Sequence, residues 1–408
     1  MIATDLTPPE NRHDTAARPR YAVPVQQICF DHLSGTPVDP AVLEAMRPWF
    51  SERFSGTGAL HSGGVEVRAA LDEAREKVAR FINAASPEEI IFTSSGTEAI
   101  NLGIKGCAFA DRRRGNDIVF STIDHPAVTQ SIQHLETVGF NGIAVGVSNE
   151  GFVRPAEIAN FKQDKVILVC SHAGNHDIGT IQNLRTMGDV VGELRAAFFV
   201  DATYAGGWLP IDVQAINASY LALAPHRFGG PKGVGILYKQ RRARLSPLLH
   251  GGAQELGYRA GTENIPGIIG AGVACDIAAK SVLTRAQHAR SLQEQLWNGL
   301  RQRVKNIQLN GPEPGSTRLP NSLSFSVAGV EGEGLALSLD MKGIRITSGQ
   351  ACTTKAAKIP PTLAAIGVME EFAPGTLIAS FGSENTPAKV DQFLEIFPPI
   401  VEKLRALS

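Results

Sequence analysis

The sequence predicts an α/β protein made of two packed units. Its 408 residues exceed what a single core usually supports. Short apolar runs at 90–93, 117–121, 166–170 and 198–201 alternate with stretches of helical spacing, such as 65–82. A content of 43 % hydrophobic residues with 41 glycines describes a folded, loop-rich chain rather than a disordered one.

The same figures narrow the function classes. A net charge of -1 gives no reason to expect nucleic acid or an anionic membrane as partner. No apolar run reaches the ~20 residues of a membrane span. Cys29, Cys107, Cys170, Cys275 and Cys352 are scattered without metal-ligand spacing, so no metal is expected. An odd, sparse set of thiols, with no signal-peptide pattern at the N-terminus, points to a reducing cytoplasm.

Taken in order, residues 1–27 hold four prolines and six charged side chains without periodicity and read as a flexible arm. A short strand, Ile28-Cys29-Phe30-Asp31, leads into Thr36-Pro37-Val38-Asp39-Pro40. Val67, Leu71, Ala74, Val78 and Phe81 then mark a helix. After the strand at 90–93, Ser94-Ser95-Gly96-Thr97-Glu98 turns into a helix at 99–108. A small-residue turn there leaves backbone N–H groups for an anion, and a plain capping turn with Thr97 as cap explains the same residues.

The strand at 117–121 ends in Thr122-Ile123-Asp124-His125-Pro126. The one at 166–170 runs into Ser171-His172-Ala173-Gly174-Asn175-His176-Asp177-Ile178-Gly179. Phe198-Phe199-Val200-Asp201 is a buried strand closed by a carboxylate, ordinarily a turn former. Residues 221–239, LALAPHRFGGPKGVGILYK, read as strand, loop, strand, with His226-Arg227 at the mouth of a sheet. Two helices are expected at 267–282 and 287–304, and the alternation at 322–327 predicts a half-exposed strand. Cys352, in the polar run Thr347-Ser348-Gly349-Gln350-Ala351-Cys352-Thr353, is expected on an open loop as the most reactive thiol.

Together these segments, from about Ile28 to the C-terminus, resemble the cysteine desulfurases of the class V aminotransferase group of pyridoxal-phosphate (PLP) enzymes. The resemblance implies PLP fold type I. Its large domain, at 37–284, would carry a mainly parallel seven-stranded sheet, with 28–36 and 285–408 forming a smaller α+β domain. It also implies a homodimer in which Thr262, within Arg259-Ala260-Gly261-Thr262, reaches the neighbour's cofactor phosphate. In the family, the turn matching Ser95, Gly96 and Thr97 cradles that phosphate, the residue matching His125 stacks on the pyridine ring, and the Asp matching Asp201 pairs with the ring nitrogen. The thiol matching Cys352 attacks the substrate sulfur and passes it to an acceptor protein.

Several matched positions depart from the family. Arg227 stands at the Schiff-base lysine beside His226, Ile378 at the substrate-clamping Arg, His176 at a cofactor-contacting Asn, Tyr204 at a ring-side Gln and Ala224 at a phosphate-side Ser. A guanidinium stays protonated and forms no stable imine with an aldehyde. Lys232 matches a structural lysine and, past a Gly-Gly-Pro turn, is not expected to take over. The expectation is a divergent desulfurase-like protein, slower than an ordinary cysteine desulfurase by many powers of ten. Its pocket would hold PLP or another small anion without a covalent Schiff base, with Cys352 and His125 as the reactive groups. Two alternatives stand beside it: a non-catalytic dimeric scaffold, or an active PLP-dependent desulfurase into which Arg227 was introduced.

Overall fold

The computed structural model describes residues 27–349 and 359–407, so all but the last residue of the arm expected at 1–27, and Cys352 with the rest of its loop from residue 350, lie outside the described residues. Among the described residues twelve strands follow in chain order. They are β1 (Ile28–Phe30), β2 (Ile90–Thr93), β3 (Asp117–Ser121), β4 (Asn141–Val145), β5 (Val166–His172) and β6 (Ala197–Asp201). The rest are β7 (Tyr220–Leu223), β8 (Gly235–Lys239), β9 (Ile307–Leu309), β10 (Ser322–Val327), β11 (Ile344–Ser348) and β12 (Thr376–Ser380).

A seven-stranded sheet runs in the order β2-β8-β7-β6-β5-β3-β4, and a five-stranded one β1-β11-β12-β10-β9. In the larger sheet β3 to β7 pair in parallel, while β8 is antiparallel to both β7 and β2. Strand β2 therefore points the same way as the parallel set. Every parallel strand ends at one edge, which is where an open α/β sheet builds its sites.

Helices cover this sheet because their sequences permit close approach. In Gly96–Asp111 a Cβ at Gly103 would sit 2.5 Å from the Phe199 ring of β6, so only glycine lets the helix lie this close. Along Ser62–Phe81, Val67, Leu71, Ala74 and Val78 recur every three or four residues and are buried. Each contributes about 1.5–3 kcal/mol where a Val or Leu leaves water. Ala74 packs on Gly272 of a neighbouring helix, whose added Cβ would come within 2.7 Å of the Ala74 Cα.

That neighbour, Ile265–Arg303, corrects one expectation. It is a single 39-residue helix rather than two. No Pro or Gly interrupts residues 283–286, and Ala and Leu on either side favour continuation. By length and composition it could cross a membrane, but its first half packs in the core of the larger sheet and its second half in that of the smaller.

Strand β10 corrects another, since all six of its residues are buried. Two of its three serines find polar partners: the Asn310 amide donates to Ser326 Oγ at 2.8 Å and Ser324 Oγ at 3.2 Å, and Ser326 pairs with Thr376 at 2.6 Å, while Ser322 Oγ is buried without one. Between the sheets sits Arg318, 0 % exposed. It donates to the carbonyls of Pro312 at 2.6 Å, Ile178 at 2.9 Å and Asn310. Burial pushes its guanidinium down. Three carbonyls replace the water it loses, and one of them belongs to the loop that presents His176.

Candidate active site

The strand ends deliver the side chains in turn. Ser95 follows β2, His125 follows β3, His176 follows β5, Tyr204 follows β6 and Arg227 lies in the single 3₁₀ turn Pro225–Arg227 after β7. At the start of Gly96–Asp111 the cap is Ser95 rather than Thr97, its hydroxyl accepting from Glu98 N at 3.1 Å. Thr97 is exposed. A Cβ on Gly96 would meet Thr203 at 2.9 Å and Ala224 at 3.2 Å, so this helix start presses against the loops after β6 and β7.

Asp201 is buried beside that turn. Its Oδ1 accepts from Thr203 N at 2.9 Å and Thr203 Oγ1 at 2.6 Å, and no described residue donates to Oδ2. Across the sheet it registers with His172 of β5. His125 caps the helix Pro126–Glu136, its Nδ1 accepting from Ala127 N at 3.0 Å. That bond places the proton of the neutral ring on Nε2. Burial, with His176 and Arg227 adding and Asp201 opposing, pushes His125 down to about 4, so the ring is neutral at pH 7. Burial, then Arg227 and Lys232, does the same to His226, also to about 4.

Three rings and one cation converge. His125 and His176 stand 4.9 Å apart edge to face, and Tyr204 lies 5.9 Å from His125 and 5.7 Å from His176. The Arg227 guanidinium stacks 3.6 Å from the Tyr204 ring centroid. Its Nε and Nη1 are buried without a hydrogen-bond partner. Tyr204, Arg227, His176, Asp177, Ile378 and Leu33 are walls of a cavity of about 290 Å³. No lysine is among the described residues lining it, and Lys232 is exposed, its stem 3.5 Å from the place a Gly35 Cβ would occupy.

Thus His125, His176, Tyr204 and Arg227 meet as one cluster, with Asp201 and the Ser95-Gly96 turn behind it. His226 faces Gly35 and Lys232 instead, and Thr262 is exposed. Arg259, in the Thr262 segment, has a role within one chain: its Nε lies 2.9 Å from Glu98 Oε1. Sequence reasoning missed a buried support group beneath His125. His172 Nδ1 lies 2.6 Å from Asp124 Oδ1, Ser121 N donates to Asp124 Oδ2 at 2.8 Å, and the Gln182 amide nitrogen lies 3.0 Å from His172 Nε2. Because Gln182 can only donate there, His172 Nε2 accepts and the Nδ1 proton goes to Asp124. The one available signal was Asp124 preceding His125.

The donor set fits the ring and phosphate of pyridoxal phosphate: a buried carboxylate with one free oxygen, a neutral imidazole, and a 16-residue helix opening on glycine.

Residues 28–393 match the aminotransferase class-V family. The cysteine desulfurase IscS of Clostridium botulinum (strain Hall) is 39 % identical over 383 residues, 94 % of this chain and 96 % of that protein. That of Methanosarcina thermophila is 39 % identical over 381 residues, 93 % of each. Among solved structures, a NifS-like protein superposes with a TM-score of 0.86 at 33 % identity, covering 93 % of this chain and 100 % of that one. SspA in complex with cysteine gives 0.75 at 29 %, covering 87 % and 99 %.

Proposed function

The chain belongs to the class-V aminotransferase family, and from that premise we propose a cysteine desulfurase-like protein whose pocket binds pyridoxal phosphate, or a similar small anion, without a covalent link. One observation carries this reading. Asp201 keeps Oδ2 free of any described donor for a cationic ring nitrogen, while the neighbouring loop offers Arg227 where a reactive amine would be needed. A buried carboxylate with hydrogen bonds on one oxygen only is costly to keep, and a bound pyridinium offsets the cost. When bound, that cofactor supplies an electron sink. His125 covers the ring as a neutral imidazole, and the N–H groups opening Gly96–Asp111 take the phosphate.

Ile378 is apolar and cannot pair with a substrate carboxylate as a guanidinium does. Turnover of free cysteine at an ordinary rate is therefore not part of the reading. Cys352 is assigned as the sulfur-handling thiol, passing sulfur to an acceptor protein. Its four counterparts are less suited, because burial pushes Cys107 up to about 12 and also raises Cys29, Cys170 and Cys275. Limiting alkylation followed by mass spectrometry should label Cys352 first. Preferential labelling of another cysteine would refute that assignment.

The protein is further read as a homodimer. Phe54 and Leu60 are 79 % and 93 % exposed, and Thr57 between them bonds Glu263, next to Thr262. Apolar surface of that kind is usually covered. Light scattering at micromolar concentration should give twice the chain mass.

An absorbance titration with pyridoxal phosphate, followed by borohydride reduction, tests the main reading. Saturable binding without a reducible bond is expected. A borohydride-trapped adduct on Lys232 together with sulfide release from cysteine would establish an ordinary desulfurase instead.

A further inference from the structure

Arg227 carries the one guanidinium among the described residues walling the 290 Å³ cavity. With Nε and Nη1 sealed off and unpartnered, Nη2 is the nitrogen left to open space. A cation in this state is under-satisfied, since each sealed N–H has lost water without gaining an acceptor. Its plane is set by Tyr204 at 3.6 Å rather than by an acceptor. The other charge on the wall is already engaged: Asp177 Oδ2 lies 3.3 Å from His176 Nε2 and accepts from Thr362 Oγ1 at 2.5 Å. Two further walls, Leu33 and Ile378, are buried and apolar.

We propose that Arg227 binds the carboxylate of a short aliphatic monocarboxylate, whose hydrocarbon end lies against Leu33 and Ile378, and that this contact needs no cofactor. The inference rests on the reading of this pocket as a small-anion site and adds the residue and the ligand class. A carboxylate meeting a guanidinium N–H makes a charge-assisted bond, about twice as strong as a neutral one. At ~30 Å³ per water, the cavity holds about nine or ten waters, room for a three- or four-carbon acid. The position that lost its clamp at residue 378 thus faces a different cation on the same cavity.

Propionate and propionamide, equal in shape and unequal in charge, provide the test by saturation-transfer NMR on the unmodified protein at constant chloride. Propionate should bind, and propionamide at least tenfold more weakly. Arg227→Met should lose tenfold or more in propionate affinity, with Arg227→Lys in between. Equal binding of acid and amide, or undiminished binding to Arg227→Met, overturns the proposal. Because acid and amide are compared on the unmodified chain, misfolding of a variant cannot decide the matter. Should pyridoxal phosphate fail to bind while propionate binds through Arg227, the cofactor reading falls and this one stands. With pyridoxal phosphate bound but acid and amide equivalent, this one falls alone.

Discussion

Asp124 and Arg227 are both charged side chains at the carboxyl edge of the larger sheet, yet the protein treats them in opposite ways. Asp124 is buried with a hydrogen bond on each carboxylate oxygen, from His172 and from Ser121 N. Arg227 has two buried nitrogens and no acceptor for either. The first is held entirely by the fold, whereas the second is held by a ring and waits for something from outside. The difference separates what supports the site from what meets a ligand.

The comparison breaks most visibly at His172. Removing the donor to a buried carboxylate leaves that oxygen unsatisfied, typically a loss of ~3 kcal/mol where the group is charged. His172→Phe should lower the urea midpoint accordingly, and a change under ~1 kcal/mol would mean that Asp124 is not held as described.

Acid sharpens it next. The folded pKa of His125, about 4, lies below the ~6.5 of an unfolded histidine, so the unfolded chain binds more protons between those values. The stability this ring contributes is full above pH ~6.5 and is lost as pH falls to about 4. A shift of that size amounts to ~3 kcal/mol. His226 acts with the same sign in the same window. Urea titrations at pH 7 and 4.5 should show the loss, and His125→Gln should reduce it.

The smallest effect has the opposite sign. Arg227→Met removes unsatisfied donors but also a stacking contact of ~0.5–2 kcal/mol on Tyr204. Stability should rise by up to ~1 kcal/mol while propionate binding is lost, as expected where a site is kept at the expense of stability. A fall of 2 kcal/mol or more would show that Arg227 is a structural residue.

Much of the architecture was legible because local signals agreed with tertiary ones. Phe198-Phe199-Val200-Asp201 is apolar to its last residue and became a buried strand ending at the site. Family motifs marked His125, Asp201, Tyr204 and Arg227 in sequence. What escaped was set by neighbours distant in the chain. Ser324 and Ser326 of β10 read as solvent-facing, and only Asn310 and Thr376 make them interior. Arg318 looked like any surface arginine until three carbonyls closed around it. No spacing rule announces Gln182, whose amide fixes the His172 tautomer from ten residues away.

The long helix Ile265–Arg303 has a consequence for how the molecule comes apart. At 1.5 Å per residue it is a shaft of about 58 Å. Ile268, Ala271 and Ala274 are embedded in one core, and Leu292, Leu296 and Leu300 in the other. Leu283, where it passes between them, is exposed. Neither core can dissolve without stripping half the shaft, and a helix stripped over half its length loses the packing that keeps the rest wound. The two sheets therefore share their fate: denaturation proceeds as a single cooperative event despite the presence of two cores.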